Sequence, residues 1–348
     1  MEFSSYSHIE NEYKILKTQK VQEILENNDT IELVALEKIH GTNFSFLTNG
    51  IDVECCRRSD ILKSDENFYN WQNILNKYKS NVIKLFGLVK EKLDIDSNIK
   101  IVQIQLYGEL FGGYYPNVDK INGNKPIQKG IYYSNSNEFA AFDLKYFIKH
   151  HNDLIHSNNV KYLNWDLFEQ VLREVLIPIV PVIARGLWNE ISQSNPKFES
   201  QIYKLHGLSQ IPNNYAEGFV IKPVQEIYLK GEQERLIWKF KNPAFSEIVK
   251  GNGDISSNTD KNKQSNPLVK KLEEYVCDNR YDNVVAKVIE GTSVDKVIEL
   301  FYLDVWVDFT DDLVLENIGI TEVDKKECEK KLRGFANKFV RTRYLVKK

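Results

Sequence analysis

The string Glu37-Lys38-Ile39-His40-Gly41-Thr42-Asn43 is the first place where residue types and spacing suggest chemistry. It lies between two strand-like runs, so Lys38 can project into a cleft while Gly41, lacking a Cβ, lets the backbone turn close to a ligand. Alone, a lysine three residues before a glycine is a weak signal, because most such lysines are solvated turn residues. Companions strengthen it: Arg57-Arg58-Ser59, Tyr107-Gly108-Glu109, Phe142-Asp143, Glu217-Gly218-Phe219-Val220-Ile221-Lys222-Pro223 and Trp238-Lys239-Phe240-Lys241-Asn242 follow in order, each in or at the end of a strand-like run. Side chains alternate along a strand, so Lys239 and Lys241 share a face and offer two cations where a phosphate could lie.

Elements must hold these groups. Val21, Ile24 and Leu25 predict a short amphipathic helix over 19–27, and strands are expected over 31–36, 43–48, 52–57, 101–106, 138–144, 218–222 and 235–241, with helices over 70–92 and 165–175. That is an α+β pattern dominated by antiparallel sheet. From 251 to 266 the composition turns to Gly, Asn, Ser, Asp and Lys, with Ile255 the lone apolar residue, which marks a linker. Beyond it Pro267 suits a first helical turn, Leu268, Leu272, Tyr275 and Val276 share a face, and further helices are expected over 293–303 and 324–340, the last carrying Leu332, Phe335 and Phe339. The expected organisation is a catalytic domain over 1–250, a linker over 251–266 and an all-helical domain over 267–348.

Composition narrows the function classes. With 46 Lys and Arg against 49 Asp and Glu, the 348-residue chain carries a formal charge of -3, which excludes a surface uniformly coated in cations, so any nucleic-acid contact must be local. No run of about 18 apolar residues occurs and the start is polar, so the chain is expected to be soluble and cytoplasmic or otherwise intracellular, with no membrane partner. Cys55, Cys56, Cys277 and Cys328 match no zinc spacing and read as free thiols. His8, His150, His151, His156 and His206 form no ligand constellation, and no G-x-x-x-x-G-K-[ST] string is present to hold a nucleoside triphosphate.

The six strings resemble, in order and wording, the nucleotidyltransferase motifs of the RNA ligase 2 family, which includes phage, viral and trypanosome RNA-editing ligases; the match runs from Glu37 to about Ser246. The linker and tail share the family's layout without a diagnostic motif. The resemblance implies an antiparallel-sheet nucleotidyltransferase (ATP-grasp-like ligase) domain followed by a small all-helical domain. It implies an ATP-dependent RNA ligase that needs Mg2+ or Mn2+ and joins 3′-OH to 5′-phosphate RNA ends, most naturally in a nicked duplex, as a monomer. Trp238 and Phe240 are bulkier than the family pattern beside the paired lysines, and Arg57 adds a cation next to Arg58.

The same resemblance implies roles. Lys38 is the expected nucleophile that takes up AMP; an ordinary lysine, with a pKa of about 10.4, is protonated at neutral pH, so Lys239, Lys241 and a divalent cation are expected to help discharge it. Glu217 is the expected metal carboxylate, and Asn43 helps hold a metal-bound water. Glu109 is expected to accept a ribose hydroxyl, Arg58 to orient the ribose and the RNA end, and Phe142 to stack on adenine. Glu37, Ile39 and Lys222 are placed near the nucleotide, and His40 in the later transfers. A capping guanylyltransferase or a DNA ligase would share the lysine chemistry but normally carries an OB-type domain after the core, where this tail reads helical. An inert RNA-end-binding module would show loss of Lys38, Glu217 or Lys239, and all three are present.

Overall fold

In the computed structural model, the described residues are 1–7, 9–26, 30–93, 99–150, 159–230, 234–248 and 266–346. The chain divides into two compact units, Met1–Pro243 and Ala244–Lys348.

The first unit is α+β. It begins with β1 (Glu10–Asn11), α1 (Glu12–Ile15) and α2 (Gln19–Glu26), then β2 (Leu33–Glu37), β3 (Thr42–Thr48), β4 (Val53–Arg57) and α3 (Trp71–Lys92). Two long strands follow, β5 (Ile99–Gly112) and β6 (Asn137–His150), then β7 (Asn159–Tyr162), α4 (Trp165–Glu174), β8 (Val182–Gly186) and α5 (Trp188–Ile191). The unit closes with β9 (Gly218–Pro223), β10 (Tyr228–Lys230), β11 (Glu234–Arg235) and β12 (Trp238–Lys241). One five-stranded sheet has the order β1-β12-β9-β2-β8, a second has β4-β3-β5-β6-β7, and β10 and β11 form a small ribbon. Pairing is antiparallel except between β1 and β12, where the start of the chain adds a parallel edge.

Strand β2, Leu-Val-Ala-Leu-Glu, is buried at every position, as a strand covered on both faces must be. Under the first sheet Val21 and Leu25 of α2 pack with Leu33, Ala35, Phe219, Ile221 and Trp238. In the second sheet Phe46 meets Phe139 edge-on at 5.1 Å, and Tyr78 of α3 closes over both rings. The two long strands outrun the expected 101–106 and 138–144, and the chain start satisfies polar groups along them, including Tyr107 just past the expected bound, whose hydroxyl donates to the Ser4 carbonyl at 2.6 Å. Gln103 exchanges hydrogen bonds with the Glu2 backbone at 2.8 and 2.6 Å, and Lys145 donates to Ser4 Oγ at 2.8 Å and to the Ser5 carbonyl at 3.0 Å. The single strand expected over 235–241 is two, interrupted after Arg235.

The α-helices of the second unit are α6 (Pro267–Glu273), α7 (Asp278–Ala286), α8 (Val294–Leu315) and α9 (Glu322–Val346), and its described residues contain no strand. Asn266 caps α6 by accepting from Leu268 N–H at 3.0 Å, with Pro267 in the first turn where no N–H is needed. Leu272, Phe301, Val305, Phe309, Leu332, Ala336 and Val340 form its core. Helix α7 is absent from the sequence reading, and α8 extends well past 303, for one reason. Arg280 of α7 is fully buried and held by the half-buried Asp304 at 2.6 Å and Asp308 at 2.9 Å, so charged residues that interrupt the apolar pattern are partners across the helix interface. Apart from Asn266, the linker expected over 251–266 lies outside the described residues. No described helix is long and apolar enough to cross a membrane.

Candidate active site

The chain leaves the first sheet at Glu37 and enters the second at Thr42, so Lys38 to Gly41 is the crossing between sheets. Three contacts fix it. Lys38 N–H donates to the Gly218 carbonyl at 2.9 Å, and His40 N–H donates to the buried Tyr133 hydroxyl at 2.9 Å. Gly41 presses against β5 so closely that an added Cβ would collide with the Leu110 carbonyl oxygen. Gly218, at φ +139°, is equally obligatory: a Cβ there would run into the Phe240 carbonyl of β12.

Pinned this way, the Lys38 amine sits 2.7 Å from Glu217, His40 Nδ1 lies 3.4 Å from the same carboxylate oxygen, and Lys241 Nζ lies 3.8 Å from the other. The Lys38 side chain is 23% exposed against 3% for Glu217, so of the two partners the lysine is the one solvent and an incoming group can reach. Burial alone would raise the Glu217 carboxyl, but Lys38, a hydrogen bond from His40 and Lys241 outweigh it and hold it well below the usual carboxylate range. Glu217 is therefore an anion with cations on several sides. Strand β12 turns Trp238 and Phe240 inward, against Trp188 at 5.7 Å and Phe219 at 5.0 Å, which explains their bulk and leaves Lys239 and Lys241 on the other face. Both lysines act on Glu12, whose carboxyl burial raises and the two cations lower.

From the second sheet, Glu109 stands opposite Asn43 in the β3–β5 register. Burial, opposed by Lys38 and reinforced by Glu217, pushes the Glu109 carboxyl up to about 8, with Arg58 also pulling it down. The two arginines at the end of β4 differ: Arg57, its last residue, is tied to Asp60 and Glu66, whereas Arg58, just beyond it, is exposed. Asn43 is half-buried, with no side-chain hydrogen bond among the described residues.

In β6, Asp143 aligns with Tyr107 and Ala141 with Gly108, which leaves Phe142 as the extra residue of a bulge. Phe142 is half-buried, its ring edge-on to Tyr6 at 5.0 Å. Asp143 is fully enclosed and accepts from Tyr6 Oη at 2.8 Å, Lys222 at 2.9 Å and Arg235 at 2.8 Å. The structure thus spends the Lys222 ammonium, 1% exposed, on Asp143 and Glu226 rather than offering it to a ligand. The Glu37 carboxylate is likewise turned inward, accepting from Ser200 Oγ at 2.5 Å and Gln201 N–H at 2.8 Å, and Ile39 is buried. Burial pushes Glu37 up to about 7. At these three positions a nucleotide could meet backbone, not the polar ends of the side chains.

Lys38, His40, Glu217 and Lys241 are therefore in direct contact, Lys239, Glu109 and Arg58 act on the same field, Asn43 and Phe142 stand on the flanking strands, and Lys222 and Glu37 are interior. Sequence reasoning missed Tyr6, Glu12, Tyr133 and Arg235. Three lie outside any motif, and Arg235 stands in a strand whose pattern gave no hint of a buried guanidinium.

The donor set suits a divalent ion shared with phosphate oxygens and water: an ionised carboxylate, Glu217, with a carboxamide, Asn43, at the start of β3 just after the crossing. The Lys38 and Lys241 ammonium groups now neutralise that carboxylate. Glu247, Asp304 and Asp308 also converge, but the Arg280 guanidinium occupies their centre, within 3.9, 2.6 and 2.9 Å, so they form an arginine cradle.

The family model described as RNA ligase matches residues 31–241, and that described as T4 RNA ligase 2 C-terminal matches 259–338. RNA-editing ligase 1, mitochondrial, of Trypanosoma brucei brucei is 31% identical over 219 residues, covering 56% of this chain and 45% of that protein, so the match spans less than half of the relative. Two structures of Naegleria gruberi RNA ligase, a variant with ATP and Mn and the enzyme with PPi, align over 69% and 70% of this chain and 57% of theirs, at 15% and 16% identity. Their TM-scores of 0.41 and 0.42 are too low to carry an argument.

Proposed function

The chain belongs to the RNA ligase family, in its RNA ligase 2 branch, and from that premise we propose that it seals 3′-hydroxyl to 5′-phosphate breaks, foremost nicks in duplex RNA, with AMP carried on Lys38. One observation carries the reading: the amine of the partly exposed Lys38 lies 2.7 Å from the buried Glu217, whose other oxygen has Lys241 at 3.8 Å. Such a place receives an anion.

In the first step the neutral Lys38 nitrogen attacks the α-phosphorus of ATP. A P–N bond forms, the bond to the bridging oxygen breaks, pyrophosphate leaves, and the amine gives up its proton. In the second, an oxygen of the RNA 5′-phosphate attacks the same phosphorus and the Lys38 amine departs, leaving an adenylylated RNA end. In the third, the 3′-hydroxyl attacks the RNA phosphorus, loses its proton and expels AMP. Lys239 and Lys241 stabilise phosphate charge that shifts during these displacements. Magnesium or manganese, when bound, neutralises phosphate oxygens and aligns them; Glu217 and Asn43 would hold it.

Glu109 accepts a ribose hydroxyl, Arg58 orients the RNA end, His40 assists the later transfers and Phe142 stacks on adenine with Tyr6 steadying its ring. Lys222 acts at one remove, locking β9 to β6 through Asp143. Residues 1–250 carry the nucleotidyl transfer, in an antiparallel nucleotidyltransferase fold, and 267–348 hold the RNA. The helical character of the described tail supports this over a capping enzyme or DNA ligase with an OB-type module.

The test compares a labelled nick in an RNA duplex, the same nick in DNA, and single-stranded RNA ends, each with ATP and magnesium. The nicked RNA should be sealed fastest. Equal or faster sealing of the DNA nick overturns the substrate assignment.

A further inference from the structure

Helix α9 carries a charge pattern that nucleotidyl transfer does not use. Cys328, Leu332, Ala336 and Val340 form its buried stripe. On the opposite side Lys326, Lys330, Lys331, Arg333, Lys338 and Arg341 are exposed, with Glu327 the exposed acid between them. Internal explanations fall short. Among the described residues Lys326, Lys330, Lys331 and Lys338 have no ion pair, although Lys271, Lys296, Arg341 and Arg343 of the same unit each have one. The helix dipole favours cations near the C-terminus, which covers Lys338 and Arg341 but runs against Lys326, Lys330 and Lys331 in the first half. The pairs Lys326 with Lys330, Lys330 with Arg333, and Lys338 with Arg341 are helical neighbours that repel.

Helix α9 has four acids of its own, Glu322, Asp324, Glu327 and Glu329, all in its first half, against eight cations that run its whole length. Helix α8 holds Asp295, Glu299, Asp304, Asp308, Asp311 and Asp312 against one cation, Lys296, so the two long helices carry opposite net charge, the cationic excess lying on α9. Since the whole chain is at -3, the concentration on α9 is local. Gly334 stands in the middle of the cationic face. Its Cβ would meet nothing within 4 Å, so no packing need explains a residue disfavoured in helix interiors. Bare backbone at that point permits a closer approach by a bulky ligand.

We propose that the outer face of α9 docks the phosphate backbone of the duplex RNA substrate, with Gly334 at the point of closest approach. From Lys326 to Arg341 the face is about 22 Å long, enough to follow several phosphates. It reads no bases: lysine-rich, flat and without aromatic residues, it holds and orients the duplex. An anionic membrane fits less well, because a surface-bound helix needs large apolar residues among its cations and none is exposed between Lys326 and Arg341. The identity of the polymer rests on the ligase reading; the cationic face does not.

The test uses the full chain and an end-labelled nicked RNA duplex, with binding followed by fluorescence anisotropy across a salt series. The triple variant Lys326→Glu, Lys330→Glu, Arg333→Glu should bind roughly 30-fold more weakly at 0.1 M salt and flatten the log–log salt slope by about 2 to 3. The corresponding Gln triple, neutral and compatible with helix, should lose less affinity but flatten the slope equally. Gly334→Ala should raise Tm yet weaken binding several-fold, whereas Gly87→Ala, at the open-sided glycine of α3, should raise Tm and leave binding unchanged. AMP uptake without RNA should be normal in all of them. Absence of uptake in the unmodified protein sinks the ligase reading. Normal uptake with wild-type affinity and slope in both triples overturns the docking face, as does preference of the unmodified protein for phosphatidylserine vesicles over duplex RNA.

Discussion

Two lysine–carboxylate clusters lie in the first unit and differ in balance and access. Around Asp143, two carboxylates (Asp143, Glu226) meet two cations (Lys222, Arg235), and none of the four side chains is more than 7% exposed. Around Glu217, Lys38 and Lys241 make ion pairs with the carboxylate and His40 lies against it, Lys239 and Arg58 stand nearby with Glu109 and Glu12, both of whose carboxyls burial raises, and the Lys38 side chain is partly exposed. In both places cations outweigh burial and hold the carboxylate ionised. A closed and balanced cluster can only fix geometry, here the spacing of β6 and β9. An open one with surplus positive charge attracts an anion and is already arranged around it when it arrives.

Removing a member separates the two most sharply. Asp143→Ala leaves Lys222 and Arg235 buried without their shared partner and should cost about 3–5 kcal/mol in urea unfolding; a loss under about 1 kcal/mol would break the comparison.

Glu37 supplies the missing case, a buried carboxylate with no cation within ion-pair distance among the described residues, and there burial wins. Its folded value of about 7 lies above its unfolded value near 4.5, so over that window the native state holds a proton the unfolded chain has lost, and stability falls as pH rises. Glu37→Gln should flatten the fall by up to roughly 3 kcal/mol, while Glu109, raised from 4.5 to about 8, keeps a fall of the same sign across this window and on to pH 8. Unfolding midpoints at pH 5, 6, 7 and 8 check it; parallel curves for the two proteins would remove the contrast. Glu217 has the opposite sign, its contribution lost only as pH falls below about 4.5, outside that range.

The open cluster should tolerate loss of a cation structurally but not kinetically. Lys241→Ala and Lys239→Ala should keep a cooperative melt close to that of the parent and slow AMP uptake by ~10² or more. Near-normal single-turnover rates would move charge stabilisation elsewhere. The smallest effect concerns Glu12, which faces both lysines. Glu12→Ala should tighten inhibition by pyrophosphate by about 2- to 5-fold, the size of a partly screened charge pair, and unchanged inhibition would detach Glu12 from the site.

What the sequence disclosed follows the same division. The open cluster was legible because its members, Lys38, Glu217 and Lys241, stand in short strings at strand ends, where spacing maps directly onto position. The antiparallel α+β character and the helical tail were legible because β2, β3, α3 and α9 have clear apolar periods. The closed clusters were not. Asp143 with Arg235, and Arg280 with Asp304 and Asp308, join residues distant in sequence, and each buried charge breaks the apolar pattern that announces an element. That is why α7 was missed and α8 cut short, and why nothing in the pattern around Lys222, expected near the nucleotide, announced its buried partners Asp143 and Glu226.

The central claim is that the Lys38 nitrogen, placed 2.7 Å from Glu217, becomes bonded to AMP. The most direct measurement is to incubate the protein with ATP labelled at the α-phosphate and magnesium, denature it, and map the labelled peptide. The account predicts AMP on Lys38 alone, stable to alkali and released by acid as a phosphoramidate, and none in a folded Lys38→Ala variant. Label at another residue, or undiminished label in that variant, would contradict it.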